Sequence, residues 1–290
     1  MLRTPIASRP DNMHRIGMMQ GRLLPRVGDR IQAFPGPRWR EEFTLLRELG
    51  YDAIELTIEM QSWDTHPIRT VTGRKEIAEV ARSQSIALAG LCADTAMERP
   101  IVSANPAIRE EGEKILVAML QDCSELGLPM LEVPLMGDAS LQQAGARSYF
   151  DDAMSRALPR AEALGVNIVL ESDLPPRKLA DLMNDYSHPR LGINYDMGNS
   201  TWFGYDPDSE LPLYAKHVRN VHVKDCTVGD YSVPLGTGAT RFGSVFGQLR
   251  AAKYCGDFIL QAARQPDDVA AGRDYLSFVQ ELVRSLNERH

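Results

Sequence analysis

The chain has 290 residues, 43% of them hydrophobic and 24% charged, with a formal net charge of −7. That length and balance suffice for one sizeable core, and an acidic surplus without any Lys/Arg cluster argues against nucleic acid as a partner. No apolar run reaches the ~18 residues that a membrane span needs. Cys92, Cys123, Cys226 and Cys255 form no C-x-x-C pair and read as reduced thiols of a cytoplasmic protein.

Residues 1–13 contain no apolar signal core and are expected to be a loose tail, which leaves 14–290 as a single domain. From there one rhythm repeats. RIGMMQGRL is followed by the amphipathic RWREEFTLLRELG, YDAIELTIE by TGRKEIAEVARSQ, and IALAGLCAD by AIREEGEKILVAMLQDCSELG. PMLEVPL then leads to SYFDDAMSRALPRAEALG, VNIVLES to PRKLADLMNDY, and LGINYDMGN to SELPLYAKH. VRNVHVKDC precedes FGSVFGQLRAAKY, and DFILQAAR precedes a long final helix. The apolar runs are short and continuous, as in parallel strands covered on both faces. Several helices end on Gly, the expected C-cap. Eight such units predict an α/β fold of the (β/α)8 TIM-barrel type, typically about 250 residues. A doubly wound sheet is the alternative, although no G-x-G-x-x-G follows the first strand.

In a barrel, chemistry belongs at the C-terminal ends of the strands. Four successive later runs close there on a ligand-capable residue: Glu171 in VLES, Asp196 in YDMGN, His222 in VHVKD and Gln261 in FILQ. Alone, an Asp after a strand is more often a cap or turn residue, and a strand His is usually a bonded core residue. Together, two carboxylates, an imidazole and an amide oxygen suit one divalent ion such as Mn, Co, Mg or Zn.

These motifs resemble the xylose-isomerase-like barrels of the sugar-phosphate isomerase/epimerase group, which carry L-E, then Y/D-x-G-N, H-V-K-D, a G-x-G turn (PLGTG here) and a final strand ending L-E. IGMMQGRL and YDAIEL fit the same pattern, and the likeness is nearest to ketopentose-phosphate 3-epimerases and ketose 3-epimerases. The resemblance implies a metal held by Glu171, Asp196, His222 and residue 261, a sugar or sugar-phosphate substrate, and proton transfer through an enediolate with Glu171 as base. A homo-oligomer is compatible with it. Gln261 departs from the pattern, standing where these epimerases have a second Glu that serves the opposite face of the sugar. An amide has no acidic proton to give. One-face isomerisation is therefore expected to be favoured, unless Glu55 or Glu132 replaces the missing acid.

Further substrate contacts are expected from Gln20, Arg22, Asn199, Lys224 and Arg264, with Glu55 and Glu132 as strand carboxylates that are costly to bury unpaired. The cations Arg22, Lys224 and Arg264 are candidates for a substrate phosphate or carboxylate. Trp39, Trp63 and Trp202 are candidate sugar platforms or core residues, and VGDYSVPLGTGATRFG reads as a mobile rim loop. Two other activities remain open on the same scaffold: a dehydratase or lyase of polyhydroxy ketones, and a non-catalytic sugar-binding barrel. An abasic-site endonuclease is disfavoured, since its three-zinc cluster needs more His ligands than the six in this chain provide.

Overall fold

The computed structural model describes residues 14–287, and the expected tail at 1–13 lies outside them. Seven strands come in order: β1 (Ile16–Met19), β2 (Ala53–Ile58), β3 (Ala87–Ala93), β4 (Met130–Leu135), β5 (Asn167–Ser172), β6 (Leu191–Asp196) and β7 (Val218–Val223). A small antiparallel pair, β8 (Asp225–Cys226) and β9 (Ser232–Val233), precedes the last barrel strand, β10 (Asp257–Leu260). The barrel closes because β1 pairs in parallel with both β2 and β10, which excludes the open doubly wound sheet. All eight barrel strands fall inside the apolar runs of the sequence.

Helices alternate with the strands. Early in the chain are α1 (Trp39–Leu49), α2 (Val71–Gln84), the short α3 (Thr95–Glu98) and α4 (Pro106–Leu126). They are followed by α5 (Ala146–Leu164), α6 (Pro176–Tyr186), the short α7 (Met197–Trp202) and α8 (Pro207–Tyr214), then α9 (Phe242–Ala251) and α10 (Asp268–Asn287). The expected glycine caps are present: Gly50, Gly127 and Gly165 end α1, α4 and α5 in the left-handed conformation, which costs a residue without Cβ little. Among the described residues no helix is long and apolar enough to cross a membrane.

The core fills the space between barrel and helices. Phe43 of α1, Phe150 of α5 and Phe258 of β10 are fully buried, each contributing about 1.5–3 kcal/mol by leaving water. Trp39 belongs to this core, packed edge-on against Phe43, and Trp63 lies under the Arg69 guanidinium. Trp202 alone of the three is substantially exposed, at 45%.

Two irregular segments shape the mouth. The connection from β1 to α1 doubles back so closely that a Cβ on Gly21 would meet the Ala33 carbonyl oxygen at 2.2 Å. Buried Glu42 of α1 grips the same turn, its carboxylate accepting the amides of Gly21 at 2.8 Å and Leu23 at 3.0 Å. The glycine-rich segment after β7, read from the sequence as a mobile rim loop, is tied to one side chain. The Asp225 carboxylate accepts the backbone amides of Gly236 and Gly238, each at 2.9 Å, and of Thr240 at 3.1 Å, so one buried charge ties the segment down.

Candidate metal and proton-transfer site

Strand alternation decides which side chains enter the barrel. On β6, Asn194 and Asp196 share one face. On β7, Asn220 and His222 do the same, and the register sets Asn194 beside Asn220 and Asp196 beside His222. With Glu171 from β5, the outer pair forms a group in which one donor atom from each of Glu171, Asp196 and His222 lies within 4.8 Å of the others, all three residues buried. The sequence expectation brought together these three residues, and so does the fold.

Amides hold the acids in place. Asn194 Nδ2 lies 2.8 Å from Glu171 Oε2, 3.1 Å from Glu132 Oε1 and 3.0 Å from His222 Nδ1. Asn199 Nδ2 donates to the other Glu171 oxygen, Oε1, at 2.6 Å, and the Asn199 Oδ1 accepts from Lys224 Nζ at 2.9 Å. Asp196 has two tasks. Its Oδ1 caps α7 through the Asn199 amide at 2.8 Å, and its Oδ2 faces Lys224 Nζ at 3.4 Å. Lys224 reaches both partners by passing over Gly198, where a Cβ would sit 2.4 Å from the lysine Cγ.

A second layer lies deeper. Glu55 and Glu132 are 0% and 1% exposed. Glu55 Oε2 is 3.0 Å from His222 Nε2 and accepts from Asn220 Nδ2 at 2.9 Å, while Glu132 Oε2 is 3.4 Å from the same imidazole nitrogen. Both carboxylates, expected from the sequence as substrate contacts or replacement acids, lie against His222 Nε2, and with His222 they form a second group able to hold a metal ion. The result resembles the carboxylate–histidine arrangement of metal sites, in which the ring nitrogen away from the ion donates to a carboxylate and so fixes the tautomer.

The electrostatics follow from burial among like charges. Burial opposes the Glu171 carboxylate, but His222 outweighs it and holds the group down to about 2. Burial pushes Glu132 well above the usual carboxylate range and raises Asp196 as well. His222 lies well above its ordinary value despite burial, because Glu132 and Glu55 favour the imidazolium. Lys224 is also raised, with Asp196 and Glu171 overcoming burial. Among the described residues, one buried oxygen each of Glu55, Glu132 and Asn194 has no hydrogen-bond partner. Carboxylate oxygens beside one imidazole, with polar capacity left over, fit a divalent cation, whose charge would take the place of the imidazole's proton.

The opposite half of the mouth is built by β10, β1, β2 and β3. Gln261, after β10, donates from Nε2 to Gln32 Oε1 at 3.0 Å, and among the described residues its Oε1 takes no hydrogen bond. Arg22 donates to Ala262 O at 3.0 Å and to Gln32 Oε1 at 2.9 Å. Burial first, and then Arg264, lower Arg22 to about 10. Gln20 is 1% exposed and accepts the Thr57 amide at 3.2 Å, so it ties β1 to β2. Arg264, expected to meet an anion, has its guanidinium occupied: it donates to the carbonyls of Gly21 and Leu24 and pairs with Asp268 at 2.5 Å. It fastens the β1 loop to the start of α10.

Sequence reasoning missed Asn194, Asn220, Gln32 and Asp94. The two asparagines had a usable signal, each standing two residues before a candidate ligand and hence on the same strand face. Asp94 closes the β3 run LCAD as the candidate ligands close theirs. Gln32 sits in an irregular loop with no periodicity to mark it.

An eight-stranded parallel barrel with carboxylates and an imidazole at its strand ends sets groups that could hold a metal where barrel enzymes carry their chemistry. A sequence model of the xylose isomerase-like TIM barrel matches residues 43–278, and the chain belongs to that family. L-Ribulose-5-phosphate 3-epimerase UlaE of Salmonella paratyphi C (strain RKS4594) is 26% identical over 276 residues, covering 89% of this chain and 95% of that protein. Among solved structures, 3-keto-D-glucoside 4-epimerase YcjR of E. coli is similar with a TM-score of 0.71 at 18% identity, covering 93% of this chain and 100% of that one. D-Psicose 3-epimerase of Clostridium cellulolyticum H10, solved with D-tagatose, gives 0.74 at 13% identity, covering 93% and 99%.

Proposed function

We propose that this chain interconverts ketoses or ketose phosphates by proton transfer at the carbon next to the carbonyl, with Glu171 as base. The observation that carries the reading is the convergence of Glu171, Asp196 and His222 from the ends of β5, β6 and β7. These three, with Gln261 Oε1 as a fourth donor, would hold one divalent ion of the Mn, Co, Mg or Zn kind. Bound there, the ion supplies Lewis-acid polarisation of the sugar carbonyl.

The remaining work falls to the chain. Glu171 is held as a carboxylate at neutral pH and is aimed by Asn194 and Asn199, one on each oxygen, so it is ready to accept a proton from carbon. Lys224, linked to Glu171 through Asn199, and Arg22 across the mouth are the cations that would meet substrate hydroxyl or phosphate oxygens. The substrate is a small sugar or sugar phosphate handled by one barrel in the cytoplasm.

The test is metal-loaded protein in D2O with L-ribulose 5-phosphate, L-ribulose and D-fructose as probes. Deuterium is expected at the carbon beside the carbonyl. Compared at matched metal occupancy, Glu171→Gln should slow its uptake by at least ~100-fold. Wild-type uptake in a metal-loaded variant would assign the base elsewhere. Products of water loss in place of epimer or isomer would make the chain a dehydratase.

A further inference from the structure

Inversion at carbon needs a proton taken from one face and another delivered to the other. Gln261 stands where the second group is expected, and an amide does not exchange a proton with carbon at neutral pH. Glu55 and Glu132 are buried against His222, 3.0 and 3.4 Å from its Nε2, and are engaged with that imidazole. Glu59, a further buried acid, is occupied by the Phe34 amide at 3.1 Å.

One carboxyl group meets the requirement. Asp94 follows directly on β3, which lies across the closed barrel from β7 and His222. Its Oδ2 accepts from Gln32 Nε2 and from Thr57 Oγ1, each at 3.1 Å. The Gln32 amide oxygen in turn accepts from Gln261 Nε2 at 3.0 Å and Arg22 Nη2 at 2.9 Å. A single side chain thus joins the neutral Gln261 to a carboxyl group on the far side of the mouth from Asp196 and His222.

We infer that Asp94 is the second proton-transfer residue of this barrel, serving the sugar face opposite Glu171 in place of the carboxylate missing at position 261. The inference rests on the ketose reading above. Glu171 takes the proton from C3, and the C–H electron pair moves into the C2–C3 bond as the carbonyl pair moves to oxygen. The Asp94 carboxyl then gives its proton to C3 from the other face while the carbonyl reforms. Glu171 ends protonated and Asp94 ionised, and exchange with water resets both. The surroundings support the donor form: burial pushes Asp94 upward against the hydrogen bonds from Gln32, Thr57 and Cys92, and Glu171 adds to the rise. Gln32 and Thr57 hold the group at the mouth without adding charge.

Asp94→Asn keeps the size of the side chain and an oxygen for Gln32, but removes the exchangeable proton. In metal-loaded full-length protein, C3 deuterium exchange and C3 epimer yield are followed together on whichever of the three probes exchanges fastest. The variant is expected to keep exchange within about threefold of wild type and to lose at least ~100-fold of epimer formation, whereas Glu171→Gln loses both. A merely structural role for Asp94 would lower the two rates in parallel. Epimer formation by Asp94→Asn at close to the wild-type rate overturns the inference, as does wild-type protein that exchanges without forming any epimer; both leave the ketose reading standing. Absence of exchange in the wild type sinks both readings.

Discussion

Replacing Glu42 by Gln removes a carboxylate that is 0% exposed and is gripped by the turn carrying Arg22. Burial raises this group to about 7 from an ordinary 4.5, with the amides of Gly21, Leu23 and Arg22 resisting the rise. The folded chain therefore keeps the proton over a range in which the unfolded chain has already released it. Stability falls wherever the folded state binds more protons, so this group's contribution is complete below pH ~4.5 and is lost as pH rises to ~7. At about 1.4 kcal/mol per pH unit, the loss is about 3 kcal/mol. Glu42→Gln cannot titrate, and subtracting its pH profile from the wild-type profile cancels groups distant from the site. Its absolute stability is not diagnostic, because the amide accepts fewer hydrogen bonds than the carboxylate. Urea unfolding of both proteins at pH 5, 6, 7 and 8 is the assay. The wild-type advantage should shrink steadily by about 3 kcal/mol and then level off. A difference that stays flat to within about 1 kcal/mol, or grows with pH, refutes the account of Glu42 as a proton-holding clamp.

Purified protein is expected to carry about one divalent ion per chain, as a single site implies; Asp196→Ala and His222→Ala should lose most of it by elemental analysis, and Glu55→Gln, which alters the bond to His222 Nε2, should weaken binding by about 10–100-fold. Full occupancy in both alanine variants would remove those two residues from the donor set. Gln261→Glu adds a negative charge at the fourth position and should tighten the ion in calorimetry, whereas unchanged affinity would place residue 261 outside the site.

Much of this architecture is legible in the chain because a parallel barrel writes each strand as a short apolar run, and each candidate metal ligand stands at the end of such a run. Glu171, Asp196 and His222 are found by that rule alone. The rule fails one layer deeper, where Asn194 and Asn220 sit within apolar strands and look like interruptions. It fails also for cations, since a sequence shows the charge of Arg264 but not the carbonyls of Gly21 and Leu24 that occupy it. Glycines after β7 suggested mobility, yet what they permit is close approach to Asp225, whose carboxylate oxygen would lie 2.3 Å from a Cβ on Gly238. Gln32 and Asp94 meet across 62 residues of chain, a pairing that the successive alignment of β1 with β2 and of β2 with β3 creates.

The amide at position 261 makes physical sense once the charges are placed. Glu55, Glu132, Glu171 and Asp196 already enter the barrel around one imidazole and one lysine, and each is 5% exposed or less. Like charges brought together out of water raise one another's affinity for protons, as Glu132 shows. A further carboxylate at 261 would add to that repulsion and donate more charge to a bound cation, weakening its pull on a sugar carbonyl. An amide keeps an oxygen donor at the position and spends its NH2 on Gln32. The acid is thereby displaced by one side chain, across Gln32 to Asp94, where Arg22 Nη2 lies on the far side of the same amide. There the group stands on β3, across the barrel from β7 and His222, and Gln32 and Thr57 hold it by hydrogen bonds.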